Sequence, residues 1–208
     1  MEKEHSKESH KVLERLRLSS LLKRFPKRIV WAVFVFVNGF ITSAILASMA
    51  MVLKTTFIFP SLGPTAFMFF FTPTSPSASP RNAVLGHAIG ILCGYGALWL
   101  TGLQYAAPAT VMGVHDPRII SAAVSLAATG AFMILFRAVH PPAAATTLII
   151  SLGIITTPIH LLIIELAVVV LALQAIFVNW LAGVDYPIWA KRIPSPEDQL
   201  RGRDQGSQ

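Results

Sequence analysis

Four long apolar stretches dominate the chain, and together they contain a single charged side chain. They cover residues 29–52, 83–103, 119–136 and 159–181. An α-helix rises about 1.5 Å per residue, so about 20 residues cross a hydrocarbon core about 30 Å thick. The pattern therefore predicts an all-α, polytopic membrane protein with four long spanning helices.

Two further apolar stretches, residues 57–71 and 139–155, are each broken by proline. Proline is well accepted in the first turn of a helix, so Pro64 and Pro142 predict short helices over 65–71 and 143–152. Irregular backbone at membrane depth is tolerated only where protein buries it or where it lines a cavity. We therefore expect these re-entrant or half-spanning helices to form the functional site.

The order of long helix, broken segment and long helix occurs twice, in residues 29–103 and 119–182, and predicts a two-fold internal repeat. Re-entrant segments would give four crossings, whereas crossing segments would give six, with the halves as inverted repeats. Loop charges slightly favour six crossings, but residues 143–155 span only about 20 Å as a helix. In both versions the two termini share one side, which the positive-inside rule assigns to the cytoplasm.

Composition supports a membrane location. Of the 208 residues, 54% are hydrophobic and 13% are charged, against about 25% charged in soluble domains. Residues 1–28 are basic and amphipathic, which predicts a retained interfacial helix on anionic lipid, with no binding to nucleic acid. The polar residues 183–208 predict a cytoplasmic tail. We expect a multi-pass integral membrane protein whose partner is the lipid bilayer.

Ionisable side chains inside the apolar region are expensive and mark candidate function. Cations outnumber the single embedded carboxylate, and the set is Arg81, His87, Arg137, His140, His160 and Glu165. The predicted helix starts at Thr65 and Ala143 would add free N–H groups and a partial positive charge. Together these features predict a site for a small anion.

Four of these side chains also have a structural interpretation. Arg81 and Arg137 could instead extend to lipid head groups as anchors at helix ends. Glu165 could pair with His87 or Arg137, although a proton relay coupled to transport is weakly favoured. For His160 we favour an interface position.

Small residues recur every four positions on two of the predicted helices. These are Gly86, Gly90 and Gly94 on the second, and Ala123, Ala127 and Ala131 on the third. Such spacing lets helices approach closely in lipid, so we expect packing seams, within the chain or between copies. Asn38 is expected to form a hydrogen bond between helices. Because four to six helices rarely enclose a pathway alone, we also expect a homo-oligomer.

Other functional classes find less support in the sequence. There is one cysteine, Cys93, and there is no His-Glu-x-x-His pair, nucleophile elbow or phosphate-binding loop. We therefore expect no catalytic residues, no metal site and no cofactor. A structural or regulatory membrane subunit remains an alternative, as does, with less support, a membrane enzyme. A structural subunit would leave the paired proline breaks unexplained.

Several blocks of residues resemble a known family. His140-Pro141-Pro142 continues into Ala-Ala-Ala-Thr, and it follows Phe59-Pro60-Ser61-Leu62-Gly63-Pro64-Thr65-Ala66, Ser75-Pro76, Pro80-Arg81-Asn82 and Gly86-His87 in that order. These blocks, within residues 29–180, are similar to the HPP family of small integral membrane proteins. The resemblance implies four spanning helices, and it implies nitrite as the transported anion, since plant and cyanobacterial members are associated with nitrite.

The family blocks fall on the positions that the hydrophobic pattern selects. The resulting substrate-binding set comprises Ser61, Gly63, Pro64, Thr65, Arg81, Asn82, His87, Arg137, His140, Pro141, Pro142 and Ala143, with Glu165 as the proton relay. Our hypothesis is that the two short-helix starts converge and that Arg81, Arg137 and His140 supply charge and donors to the anion. A channel and a proton-coupled carrier both fit.

Overall fold

A computed structural model describes residues 18–54 and 60–190, and every regular element within these ranges is a helix. Four helices are long: α2 (Lys27–Leu53), α4 (Pro80–Leu100), α6 (Asp116–Leu135) and α8 (Pro158–Ala182). Two are short, α3 (Leu62–Phe71) and α7 (Ala143–Ser151). The remaining elements are α1 (Leu18–Arg24), a 3-10 turn (Pro76–Ala78) and the one-turn α5 (Ala109–Met112).

The ends of the long helices carry residues that favour starting and stopping there. Proline stands at the start of α4 and α8, where its missing N–H costs nothing. The Ser79 hydroxyl also caps α4 by accepting from the Asn82 N–H. At the other end, α8 stops at Gly183, whose φ of 72° lies in the left-handed region that glycine adopts freely.

The four long helices all have the length and hydropathy to cross a membrane, which confirms the prediction of four spanning helices. The short helices have 10 and 9 residues, or about 15 and 14 Å, so neither crosses a 30 Å core as a helix. Their lengths favour four crossings, against the slight preference for six that loop charges suggest. The cytoplasmic side of the termini stays a prediction.

Several predicted boundaries shift by a few residues. The first short helix begins at Leu62 rather than at 65, because Pro64 still falls within the first turn, where no N–H is needed. The first spanning helix begins at Lys27, two residues earlier than predicted, after a break at Pro26. Most of the predicted interfacial helix, residues 1–17, lies outside the described residues, as does the tail from 191.

Helix α4 is the centre of the bundle and contacts α6, α7 and α8. Its glycine seam lies against α7 and the turn before it. A Cβ added at Gly90 would lie 2.9 Å from the Ala143 carbonyl oxygen, and one at Gly94 would lie 2.9 Å from the Thr147 carbonyl oxygen. The predicted glycine seam is therefore confirmed, and its partner is the second short helix.

The alanine stripe of α6 does not pack inside the chain, so that interpretation was wrong. Ala123, Ala127 and Ala131 are exposed, whereas the buried face of α6 carries hydroxyl groups at Ser121, Ser125 and Thr129. These hydroxyls find acceptors inside: Ser121 donates to the Ser151 carbonyl, and Thr129 lies 3.0 Å from the Thr147 hydroxyl. A hydroxyl group inside the bundle is stabilised by hydrogen bonds to neighbouring helices, and alanine can form no such bond. An interface between copies remains a prediction for the alanine face.

The two halves make corresponding contacts. Helix α3 packs against α2 and α8, and α7 packs against α6 and α4. Each short helix thus lies between the first long helix of its own half and the last long helix of the other half. These corresponding contacts in the two halves agree with the predicted two-fold internal repeat. The repeat itself stays a prediction.

Candidate functional site

The two proline breaks meet in space. A groove of about 720 Å³ separates the starts of the two short helices. The α3 side contributes Gly63, Pro64, Phe67 and Met68, and the α7 side contributes Pro141, Pro142 and Ala145. None of these side chains is charged, so the groove has an apolar wall. Polar groups for an anion must come from residues behind that wall.

A cluster of buried polar side chains lies directly behind the groove. The Thr65 hydroxyl is 2.9 Å from Nε2 of His87 and 3.1 Å from Nε2 of His140. Nδ1 of His87 is 2.8 Å from the Thr146 hydroxyl. All four side chains are fully buried, and they come from α3, α4, α7 and the turn before α7. The cluster therefore joins the two halves at the point where the broken helices converge.

His140 is fixed in one tautomer. Its Nδ1 lies 2.7 Å from the Ser77 carbonyl oxygen, and a carbonyl can only accept, so Nδ1 carries the proton. Burial away from solvent disfavours the charged imidazolium of His140, so the ring is neutral in the cluster. Nε2 of His140 is consequently an acceptor, and the Thr65 hydroxyl is the group that donates to it.

The sequence pair Gly86-His87 explains how the two rings come within 5.3 Å of each other. A Cβ at position 86 would lie 2.7 Å from the Cβ of His140, closer than such atoms approach. Because residue 86 has no side chain, the turn that carries His140 can lie directly against α4. The next residue, His87, points into the cluster. The close approach requires glycine at this position.

The start of the second short helix does not offer free N–H groups, so that part of the anion hypothesis was wrong. The Ala143, Ala144 and Ala145 amides donate to the carbonyls of His140, Pro141 and Pro142 at 3.0–3.1 Å. The tight turn before α7 has already used these donors. At the start of α3 the Ser61 hydroxyl is buried, and it has no hydrogen-bond partner among the described residues.

The comparison with known sequences covers both proline breaks and all four long helices. Residues 24–187 match the family described as HPP, transmembrane region. The chain belongs to the HPP transmembrane family. It is also 35% identical over 96 residues to a transmembrane protein of Dictyostelium discoideum. That alignment covers 46% of this chain and 28% of the relative, and no solved structure matches.

In this HPP-family chain the two candidate arginines do not face the groove. Arg81 donates to the Arg137 carbonyl at 2.8 Å and to the Phe136 carbonyl at 3.2 Å, at the end of α6. The neighbouring Asn82 donates to the Val139 carbonyl. Arg137 is exposed, and its φ of 51° places it in the turn that presents those carbonyls. Arg81 therefore joins the start of α4 to the end of α6.

Glu165 does not pair with His87 or Arg137, so the pairing interpretation was wrong. Both carboxylate oxygens are buried and have no hydrogen-bond partner among the described residues.

His160 is half-buried in the first turn of α8. Asn38 donates to the Phe34 carbonyl of its own helix, so the predicted interhelical bond was also wrong. The bond between α8 and α2 comes instead from Gln174, which donates to the Thr42 hydroxyl at 2.8 Å.

Sequence reasoning missed a buried arginine. Arg118, 3% exposed, donates to the Ser151 carbonyl at 3.2 Å and to the Ala107 carbonyl at 2.9 Å. Its guanidinium atoms would lie only 2.9–3.2 Å from a Cβ added at Gly153, so a side chain at that position would clash with Arg118. Gly153 also has a φ of 76°, which favours glycine. The positive group complements the C-terminal end of α7. The glycine after the short apolar run is the signal that could have indicated a close partner.

Proposed function

We propose that this protein transports a small inorganic anion, most favourably nitrite, through the groove between its two short helices. The observation that carries the proposal is the convergence of both proline breaks on one buried polar cluster inside four spanning helices. Buried polar groups in a membrane bundle are costly and typically line a substrate path. The choice of nitrite comes from the resemblance of the motif blocks to the HPP family.

The chemistry of the cluster suits a small acceptor. Threonine hydroxyls and imidazole N–H groups can donate to anion oxygens without carrying a permanent charge. His140 and Thr65 each directly neighbour a proline that lines the groove, so a small opening of its wall would present them to an occupant. Ser61, with its unpartnered hydroxyl one turn before Thr65, is a further donor for such an occupant.

The assembly around this path is also a proposal. We expect the protein to act as a homo-oligomer with both termini in the cytoplasm, and the exposed alanine face of α6 is the surface we propose for contact between copies. The carboxylate of Glu165 would serve as a proton relay in a carrier version of the mechanism. In that version, Glu165→Gln removes the response of flux to a pH gradient.

The first test is nitrite uptake into liposomes that contain the purified protein. Empty liposomes are the control, and nitrate, chloride and formate are the competing anions. Saturable, protein-dependent nitrite flux is the expected result. Absence of flux for every anion, with protein shown to be folded by its thermal unfolding profile, would favour the structural-subunit or enzyme alternatives.

A further inference from the structure

The buried cluster forms a continuous hydrogen-bonded chain with a defined order of protons. The order starts from the Ser77 carbonyl, which forces the proton of His140 onto Nδ1. Nε2 of His140 must then receive the Thr65 proton, and the Thr65 oxygen must receive the Nε2 proton of His87. Nδ1 of His87 finally accepts from Thr146. Only this order gives every ring nitrogen a partner of the right kind.

The alternative order leaves one nitrogen unsatisfied. The Thr65 hydroxyl also lies 3.1 Å from the Ser61 carbonyl of its own helix, to which it could donate. That choice would leave Nε2 of His140 buried without a donor, because Thr65 is its partner in the cluster. An unsatisfied buried nitrogen costs about 1–3 kcal/mol, so the connected order is preferred.

We propose that the chain from Thr146 through His87, Thr65 and His140 to the Ser77 carbonyl is a proton path, and that the protein moves conjugate bases of weak acids together with a proton. The proposal rests on the anion-transport function proposed above and specifies its substrate class. Chains of hydrogen-bonded histidines and hydroxyls are suited to relaying protons within membranes.

The two ends of the chain lie in different surroundings. Ser77 is half-buried in the turn before α4, next to the exposed Pro76. At the other end Thr146 directly follows Ala145, which lines the groove. The path therefore joins a turn near the surface to the wall of the groove. The side chains of Thr146, His87, Thr65 and His140 are all fully buried. Proton transfer to an occupant of the groove therefore requires the groove wall to open.

The passage of one proton converts an inverted order of the hydrogen-bonded chain into the order seen in the structure. In the inverted order, His140 carries its proton on Nε2, and a proton entering from the Ser77 side binds Nδ1. His140 then releases the Nε2 proton to Thr65, Thr65 releases its own to Nε2 of His87, and His87 releases its Nδ1 proton to Thr146. Thr146 gives its original proton to the anion, for nitrite forming nitrous acid. Each member breaks one bond to hydrogen and forms one. A second proton can follow in the same direction only after both histidines exchange tautomers and both hydroxyls rotate, which requires the covered cluster to open.

Protonation matches the apolar wall of the groove. A bare anion would lose its hydration against Phe67, Met68 and the prolines, which is very costly. The neutral acid avoids most of that cost. Nitrite and formate are conjugate bases of weak acids and can be neutralised in this way, whereas nitrate and chloride derive from strong acids and cannot.

Among the residues that the structure describes, few other titratable groups face the hydrogen-bonded chain. The two histidines face each other, and Tyr186, which follows α8, donates its hydroxyl to the Ala78 carbonyl next to Ser77. Arg81 on α4 is engaged by the carbonyls at the end of α6. Glu165 on α8 forms no hydrogen bond to either histidine and is the competing relay.

The test compares isosteric variants for nitrite uptake and accompanying proton uptake, followed with a pH-sensitive dye inside the liposomes. Thr65→Val and Thr146→Val interrupt the chain, and Thr65→Ser restores the hydroxyl. The matched control is Thr147→Val, because Thr147 is equally buried on α7 and bonds to the Thr129 hydroxyl outside the chain. Thermal unfolding in detergent verifies that each variant is folded.

We expect proton uptake with nitrite and formate in the unaltered protein. Thr65→Val and Thr146→Val should lower it by at least about tenfold, within the range of a lost proton-transfer group. Thr65→Ser should recover proton uptake relative to Thr65→Val, and Thr147→Val should retain it.

Four outcomes would overturn the proposal. Nitrite flux without proton uptake would exclude the proton path while leaving anion transport intact, and an equal loss in Thr147→Val would assign the cluster to packing. Loss of the proton response in Glu165→Gln alone would assign the relay to that carboxylate. Absence of nitrite flux in the unaltered protein would instead reject both proposals.

Discussion

The two short helices occupy corresponding places in the two halves, yet they are held by different forces. Helix α7 lies with its backbone directly on the glycines of α4, and Arg118 binds its final carbonyl. Helix α3 is held by side chains, with Phe69 and Phe70 buried and Asn179 of α8 donating to the Phe69 carbonyl. Backbone contact leaves no freedom for displacement, whereas side-chain packing can rearrange. We therefore predict that α7 is the more rigid wall of the groove and that α3 is the wall that can move.

The largest expected effect comes from displacing α7. Gly90→Ala would place a Cβ 2.8 Å from the Thr147 hydroxyl and 2.9 Å from the Ala143 carbonyl oxygen, so a helix backbone must shift. We expect a loss of about 3 kcal/mol in the free energy of unfolding, the upper end for overpacking. Unfolding in mixed detergent micelles measures it.

The matched control lies on the same helix. Gly96 has no atom within 4 Å of an added Cβ, so Gly96→Ala should be neutral or stabilising by up to about 1 kcal/mol, from helix propensity alone. Equal stability of the two variants would contradict the fixed contact between α4 and α7.

A second effect concerns the far end of α7. Arg118→Met keeps much of the side-chain volume but removes the bonds to the Ser151 and Ala107 carbonyls. We expect a loss of about 2 kcal/mol, as for hydrogen bonds made by a charged group. Arg137→Met is the comparison for unfolding, since the Arg137 side chain is exposed and should contribute little. A similar change in both variants would show that Arg118 does not hold α7.

Replacement of Arg81 tests whether its positive charge binds the anion or whether the side chain only joins two helices. Arg81→Ala removes two bonds to the carbonyls that end α6, and both lie near the surface, so we expect a loss of about 1 kcal/mol in stability. If the side chain only joins helices, nitrite flux per folded protein should stay close to that of the unaltered chain. A large loss of flux in well-folded protein would restore Arg81 as an anion ligand.

The sequence predicts those features that depend on local pattern. Apolar runs of sufficient length define the four spanning helices, and the spacing of Gly86, Gly90 and Gly94 defines a seam. It cannot define which distant group each polar side chain meets. Arg81 and Arg118 both lie at helix starts, and each has a carbonyl acceptor far away in the sequence, 55 residues for Arg81 and 33 residues for Arg118. Likewise α6 carries alanine and hydroxyl stripes of the same period, and only the position of α7 determines which is buried.

The histidine cluster is only partly predictable from the sequence. Residue chemistry and the proline breaks point to His87 and His140, but nothing in their spacing indicates that one threonine bridges both rings. Thr65 and Thr146 meet them only because α3 and α7 converge. The same folding event that forms the groove therefore also forms the chain behind it.

The smallest expected effect tests whether α3 is the movable wall. Phe69→Leu trims a fully buried side chain that lies against Tyr186 and the His140 ring. Because neighbouring aromatic groups can close around the smaller residue, we expect a loss of only about 1 kcal/mol. Phe67→Leu, on the exposed face, should change stability by less than about 0.5 kcal/mol. If Phe69→Leu is as damaging as Gly90→Ala, α3 is held as rigidly as α7, and both walls of the groove are fixed.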